Sequence, residues 1–416
     1  MRSLLLIAPH CDGEDVGEAR SAHQLVSRLA ETNDVTLLTY GKKTARPASE
    51  QLPGVRVIEW PDLPLVGRFE RFNAAAKPGY YLFARRARRW IKRAVKRGER
   101  FDLAHQLSPL ALRFACPAVG LVRPLVIGPL AGSLTTPESF AGEFGSEPWF
   151  MKLRGLDSVR FRRDPALRRT YREADVLIGV APYVRELLDT AGIPITCFET
   201  MTEVGLDELP PAPERREPSP GELKLLYVGR VVRSKGVRDA VRALAQLDDL
   251  PRVTLDVVGD GNDRAVCEAE ADRLGISGRV IFHGRIEREG VDAFYKAADA
   301  FCFPSFREPS GNAAIEAMSW SLPMIFADRG GPAHAVTDAC GVRVSLSEPE
   351  RFARDLAAAI RGLSERPGAL AGMGAAARQR AGEIALWPGK IERLTELYDE
   401  LAGSEGRSEV AAARSA

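Results

Sequence analysis

The chain has 416 residues and a net charge of +2, which at about 100–200 residues per domain excludes a single small module and implies two or three folded units. Apolar residues make up 45% and charged residues 27%, and 37 glycines with 28 prolines stay far below a collagenous or low-complexity composition, so most of the length folds. The charge is uneven, +8 over residues 1–200 and −6 over residues 201–416.

Ser3–Ala8 is an apolar strand, followed by the loop Cys11-Asp-Gly-Glu-Asp-Val-Gly17 and a helical stretch to about Ala30, which together make a βα unit. With one basic residue and no small-residue cleavage site, this start reads as a strand and not as a signal peptide. Val35–Thr39, Val55–Trp60, Phe101–Ala104, Leu125–Gly128 and Val176–Val180 follow as further short strands with helical segments between several of them. Within this series Arg85 to Arg100 carries nine basic residues against Glu99 alone. Trp90, Ile91 and Val95 interleave at near-helical spacing, so the stretch reads equally as a basic amphipathic face for anionic lipid or an anionic acceptor, and as an ordinary solvated helix face. The aromatic interleaving of a base-stacking surface is missing, which argues against nucleic acid. The longest apolar run, Ala111–Ala131, is broken by Arg113, Pro117, Arg123 and Pro124 and falls short of the roughly 18 uninterrupted residues of a spanning helix. A cytoplasmic protein is expected, one that on the lipid-facing reading sits peripherally on the inner face of the membrane.

The proline-rich stretch Leu209–Gly221 reads as a linker because its prolines cannot join a sheet interior. A second strand series then runs through Leu223–Val228, Val253–Val258, Val280–His283, Ala300–Phe303, Pro323–Phe326 and Gly341–Val344, and a last helix from Pro388 to about Ala402 precedes a polar tail expected to fray. The expected organisation is an α/β first domain over 1–205, a linker over 206–222, a second α/β domain over 223–385, and a terminal helix with tail over 386–416. Six cysteines, Cys11, Cys116, Cys197, Cys267, Cys302 and Cys340, form no C-x-x-C pair and have no histidine at ligand spacing, so they are expected reduced and mostly buried, without a metal.

Open α/β sheets bind ligands at loops that follow strands. In the second series one such loop, Val228-Gly-Arg-Val-Val-Arg-Ser-Lys-Gly236, sets Arg230 and Lys235 five residues apart before a helix, an arrangement suited to a diphosphate. Another, Phe303-Pro-Ser-Phe-Arg-Glu308-Pro-Ser-Gly311-Asn-Ala-Ala-Ile-Glu316, places two carboxylates around a helix start, where they can accept hydrogen bonds from sugar hydroxyls while Gly311 lets backbone amides approach an anion. A salt-bridged surface turn is the bland alternative for the first loop; both loops together favour a nucleotide sugar.

In this order, Val228-Gly-Arg with Lys235-Gly236, Val258-Gly-Asp-Gly261, Phe282-His-Gly284, Tyr295-Lys-Ala-Ala-Asp299, Phe303-Pro-Ser, the Glu308/Glu316 pair and Arg329-Gly-Gly-Pro332 resemble the retaining glycosyltransferases of family 4 over roughly residues 223–345. The first half resembles them more loosely, through Gly13-Glu14, Asp102-Leu-Ala-His105 and Ile127-Gly-Pro-Leu-Ala-Gly132. Ser310 and His334 depart from residues the family often carries there. The resemblance implies the GT-B architecture: two doubly wound Rossmann-like domains facing across a cleft, with the Trp387–Tyr398 helix crossing back to the first. It implies that Arg230 and Lys235 hold the donor diphosphate, that Glu316 binds ribose hydroxyls, and that Glu308 contacts the donor sugar. Gly229 and the amides of Gly311, Asn312 and Ala313 would touch sugar or phosphate. His105 would face the donor sugar, unless it is a satisfied core histidine, and Gly13 and Glu14 would approach the reacting centre, unless Glu14 is only a helix-capping charge. Fixed positive charge then replaces a metal at the leaving diphosphate, so no cofactor is expected. The implied activity is sugar transfer with retention from a nucleotide-diphosphate sugar to a glycan, lipid-linked or small-molecule hydroxyl. A nucleotide-sugar epimerase and a non-catalytic nucleotide-sugar-binding module are the alternatives.

Overall fold

The computed structural model describes residues 1–41, 46–61, 79–144 and 157–414. The chain forms two compact units: Met1–Ser133 with Glu147–Gly205 and Trp387–Ala416, and Leu134–Ser146 with Leu206–Leu386. Leu134–Ser146, in the first half of the sequence, therefore belongs with the second unit.

The first unit is built on seven strands, β1 (Ser3–Ile7), β2 (Asp34–Gly41), β3 (Arg56–Pro61), β4 (Leu103–Gln106), β5 (Leu125–Leu130), β6 (Val176–Gly179) and β7 (Phe198–Thr200), in the order β3-β2-β1-β4-β5-β6-β7. Every pairing is parallel, with Leu4 beside Val35 on one side and Leu103 on the other. Strands buried on both faces carry continuous apolar runs instead of alternation. In β1, Leu5 and Ile7 join one core with Phe83 and Ile91 of the Gly79–Lys96 helix. Leu4 and Leu6 point the other way, into a core that includes Trp387, Leu394 and Tyr398 of the Trp387–Arg414 helix. That helix continues through the stretch expected to fray, where Ala, Glu and Arg are strong helix formers.

The second sheet comprises β8 (Glu222–Val228), β9 (Arg252–Val258), β10 (Val280–Gly284), β11 (Ala300–Phe303), β12 (Met324–Ala327) and β13 (Gly341–Val344), all parallel, in the order β10-β9-β8-β11-β12-β13. Its core gathers Leu225, Val257, Phe301 and Phe326, and also Phe140 from Leu134–Ser146. The expected double-wound pair of sheets is borne out, and the strand that was not anticipated is β7, a three-residue edge strand. In each sheet the strand order reverses once, between β1 and β4 and between β8 and β11. The crevice outside the carboxyl ends at such a reversal is where this fold class binds ligands. All six cysteines are unpaired and five are buried. Among the described residues, no helix is long and apolar enough to cross a membrane.

Candidate functional site

At the reversal of the second sheet, β8 runs out into Gly229–Gly236 and β11 into Pro304–Gly311. The two loops touch through backbone. Gly236 has φ +76°, and a Cβ there would collide with the Pro304 carbonyl, so only glycine fits this approach without displacing the loop. Phe306 N–H donates to the Ser234 carbonyl at 3.2 Å. This contact brings Lys235 Nζ onto Glu308 Oε2 as an ion pair whose side chains are each 13% exposed. Glu308 Oε1 accepts from Gly311 N–H at 3.2 Å, so the carboxylate is held at both oxygens. The start of the Gly330–Ala335 helix, after β12, fixes the Glu308 backbone: Gly331 N–H donates to the Glu308 carbonyl at 3.0 Å, and a Cβ on Gly330 would strike that same carbonyl.

Arg230 lies on the β8 loop with Lys235. Its side chain is exposed, while its carbonyl accepts from the buried Tyr227 Oη at 2.9 Å. Gly229, at φ +149°, donates its N–H to the Val258 carbonyl at 2.9 Å, and a Cβ on Gly259 would collide with the Gly229 carbonyl. The β8 and β9 loops are thus pressed together by glycines, leaving the Arg230 guanidinium projecting from a fixed base. Gly311, at φ +80°, caps the Asn312–Ser319 helix, whose first amides, including those of Asn312 and Ala313, have no intrahelical acceptor and carry partial positive charge. Gly311's own amide is taken by Glu308. Glu316, one turn into this helix, is half-buried and pairs with Arg288 Nη2 at 2.7 Å. Burial pushes the Glu316 carboxyl above its ordinary range, with Arg288 opposing. The second unit therefore gathers Gly229, Arg230, Lys235, Glu308, Gly311, Asn312, Ala313 and Glu316 on loops and a helix start around one sheet reversal, with two cations, two carboxylates and a helix N-terminus.

The candidates of the first unit are placed differently. His105, in β4, is fully buried. Its Nδ1 lies 2.6 Å from Tyr398 Oη and its Nε2 2.9 Å from the Gly128 carbonyl. The carbonyl can only accept, so Nε2 carries the proton and Nδ1 accepts from the tyrosine. Burial lowers the pKa to about 4. Both ring nitrogens are occupied, and the expectation that His105 faces a donor sugar gives way to a neutral histidine that ties β4 to β5 and to the terminal helix. Gly13 gives its N–H to Gln51 Oε1 at 2.8 Å and is packed so tightly on the His23 ring that a Cβ would come within 2.8 Å of it. Glu14 is exposed, 3.4 Å from Arg46.

Two residues escaped the sequence reading. Arg288 was invisible because nothing near it in sequence marks it as the partner of Glu316. Arg233 sits between Arg230 and Lys235 yet is buried, bonded to Asp239 and Glu143. Its position in the loop was the one available signal, and it does not distinguish a buried arginine from an exposed one.

Residues 212–380 match the family model of glycosyl transferases group 1, and residues 16–197 match the glycosyl transferase 4-like domain. The chain is 30% identical over 236 residues to a glycogen synthase of Mycobacterium tuberculosis, and spans about half of that relative's length, 56%. It is 29% identical over 384 residues to a D-inositol 3-phosphate glycosyltransferase of Kribbella flavida, covering 86% of this chain and 84% of that one. Among solved structures, sucrose-phosphate synthase from Thermosynechococcus elongatus superposes with a TM-score of 0.68 at 22% identity, over 97% of this chain and 100% of that one. Anabaena HepE in complex with UDP does so with a TM-score of 0.65 at 18% identity, over 96% and 100%; at these identities the likeness is one of fold. With each half matching a glycosyltransferase family model and the sheets arranged as in those neighbours, the chain belongs to the GT-B glycosyltransferases of group 1.

Proposed function

We propose that the chain is a retaining, family 4 glycosyltransferase that moves a sugar from a nucleotide-diphosphate sugar to an acceptor hydroxyl and needs no metal. The observation that carries this reading is the Lys235–Glu308 pair at the β8/β11 reversal, with Arg230 exposed on the same loop and a helix N-terminus beside it. Arg230 and Lys235 face the diphosphate, the Asn312 and Ala313 amides add donors, Glu308 accepts from sugar hydroxyls, and Glu316 accepts from the ribose. In the reaction the bond between the anomeric carbon and the diphosphate oxygen breaks, the acceptor oxygen bonds to that carbon from the same face, and the acceptor proton passes to the departing phosphate. Cations and amides fixed around the leaving group stabilise its growing charge, an effect worth about 2.7–4 kcal/mol per donor in comparable oxyanion sites. His105 is outside this set. HepE has been solved with UDP and with UDP-glucose, which makes uridine diphosphate sugars the first donors to try.

On the acceptor side, the Gly79–Lys96 helix exposes Arg85, Arg89, Lys92, Arg93 and Lys96, with Tyr81 at 54% and Leu82 at 41% exposure. Exposed cations beside exposed apolar groups suit the surface of an anionic membrane, so we place the protein in the cytoplasm, peripheral on the inner leaflet, with a lipid-linked acceptor.

Calorimetric titration with UDP-, GDP- and ADP-sugars, followed by NMR of the transferred sugar, tests the proposal. One donor is expected to bind and to yield product with retained configuration. No binding of any donor, or an inverted product, would overturn it.

A further inference from the structure

The Leu134–Ser146 segment reaches the two loops that carry Lys235 and Glu308 and the helix start after β12. Thr135 accepts through its carbonyl from Arg329 at 2.8 Å, and Arg329 caps the helix whose Gly331 bonds the Glu308 carbonyl. Thr136 Oγ1 accepts from Arg307 Nη1 at 2.8 Å, one residue before Glu308. Glu143 Oε2 accepts from Arg233 Nε at 2.8 Å, two residues before Lys235, and its Oε1 from Arg242 Nη1 at 2.7 Å. Between these anchors the Phe140 ring lies 4.5 Å from that of Phe306.

Arg233 is the centre of this arrangement. It is 5% exposed, and its guanidinium carbon sits 5.4 Å from the Phe140 ring and 5.2 Å from the Phe306 ring. On the remaining side it forks onto Asp239 with bonds of 2.6 and 2.9 Å. A cation so enclosed persists only when its charge is compensated and its donors are taken, and Glu143 and Asp239 do both. Although burial works against its charged form, Arg242 and Arg233 hold the Glu143 carboxyl below its ordinary range. One guanidinium thus joins the β8 loop, through its own backbone, to the β11 loop, through Phe306, with Glu143 and Phe140 of the crossing segment closing the clamp.

We propose that Arg233, gripped by Glu143 and Phe140, is a positioning residue that holds Lys235 and Glu308 together as the pair that receives the diphosphate and the sugar; this rests on the reading of that pair as a donor site. It touches neither donor nor acceptor. Its effect is on how well the pair is formed before the ligand arrives, so affinity changes without loss of a contact.

Titration of UDP, with GDP and ADP as parallel arms, into wild type, Lys235→Ala, Glu143→Gln, Phe140→Leu and the Glu143→Gln/Lys235→Ala double variant decides the matter. All are measured at low temperature, with melting temperatures recorded alongside. Glu143→Gln is isosteric and Phe140→Leu keeps an apolar side chain in the core, and each is expected to weaken the best-bound nucleotide by about tenfold, the scale of coupling within one ion-pair network. The double variant is expected to bind no worse than Lys235→Ala alone, because there is no longer a lysine to position. A lowered melting temperature with unchanged affinity, or fully additive losses in the double variant, would overturn the inference while leaving the donor site standing. Failure of Lys235→Ala itself to weaken binding, or failure of wild type to bind any of the three nucleotides, would remove the donor site and this inference with it.

Discussion

Removal of the Lys235 ammonium separates two effects that differ in size. In the folded protein it is paired with Glu308, each side chain 13% exposed. Exposed pairs are worth about 0.2–1 kcal/mol, and breaking a fully buried one costs about 3–5 kcal/mol. Glu308 keeps the Gly311 amide when the lysine is gone, so Lys235→Ala should cost about 2 kcal/mol of stability, between those limits. That is a minority of the roughly 5–15 kcal/mol that holds a domain together, and the variant should remain folded. Turnover should suffer more: losing one fixed donor to a developing anion lowers kcat by about 10²–10³. Glu308→Gln on top of Lys235→Ala should restore part of the melting temperature, by removing the uncompensated carboxylate, and none of the rate. Initial rates with the best donor and thermal unfolding, measured on the same preparations, give both numbers. Turnover by Lys235→Ala within about threefold of wild type, with the melting temperature down, would mean that the ion pair is structural and that the diphosphate lies elsewhere.

Other outcomes follow from the same structure. His105 has its pKa lowered from 6.5 to about 4 by burial; the unfolded chain takes up this proton first, so the neutral ring stabilises the fold fully above pH 6.5 and the benefit is lost as pH falls toward 4. Across that window wild type should lose about 3 kcal/mol more than His105→Gln in urea unfolding, and parallel pH profiles would refute it. EDTA should leave transfer rates unchanged, whereas loss of activity restored by Mg²⁺ or Mn²⁺ would show that cations of the protein are insufficient for the leaving group. Replacing Arg85, Arg89, Lys92 and Lys96 with Gln should release the protein from anionic vesicles, at about 1 kcal/mol per exposed cation, without altering donor affinity. Wild type that fails to sediment with such vesicles at low salt would assign the helix to solvent. Arg86 and Arg88 are left in place in that variant because they bond the carbonyls of Pro61, Pro117 and Val119.

The local signals of the sequence were strong where the fold is local. Runs such as Leu4-Leu-Leu-Ile7 and Leu225-Leu-Tyr-Val228 are apolar on both faces because both sheets are covered on both faces, and glycines such as Gly236 and Gly311 stand where backbone must turn left-handed or meet backbone. The site loops share this legibility, since each lies within a few residues of its strand. What did not show is long-range. Glu143 and Arg233 are 90 residues apart in sequence, and each reads as one more charged surface residue until the fold closes around both. His105 fails for the reverse reason: its D-x-x-H context matched a known pattern, while its ring partner, Tyr398, lies 293 residues away. The basic helix combines both cases. Its amphipathic period is plain, yet which arginines are free and which hold carbonyls of neighbouring loops depends on loops that the period does not describe.

That Phe140 packs with Phe306 and Phe352 also bears on how the protein can be divided. A cut at residue 206 looks natural, but the fragment after it lacks Phe140 and Glu143, so it would expose two phenylalanine rings and leave a buried arginine short of a carboxylate. The second unit must recruit chain made before much of the first unit, and closing that loop carries an entropic cost that neighbouring elements do not bear. Hybrids that join residues 206–386 to the first half of a relative should therefore aggregate or fold slowly unless residues 134–144 travel with them. What recombination can exchange in this protein is set by a crossing strip of about a dozen residues as much as by the linker.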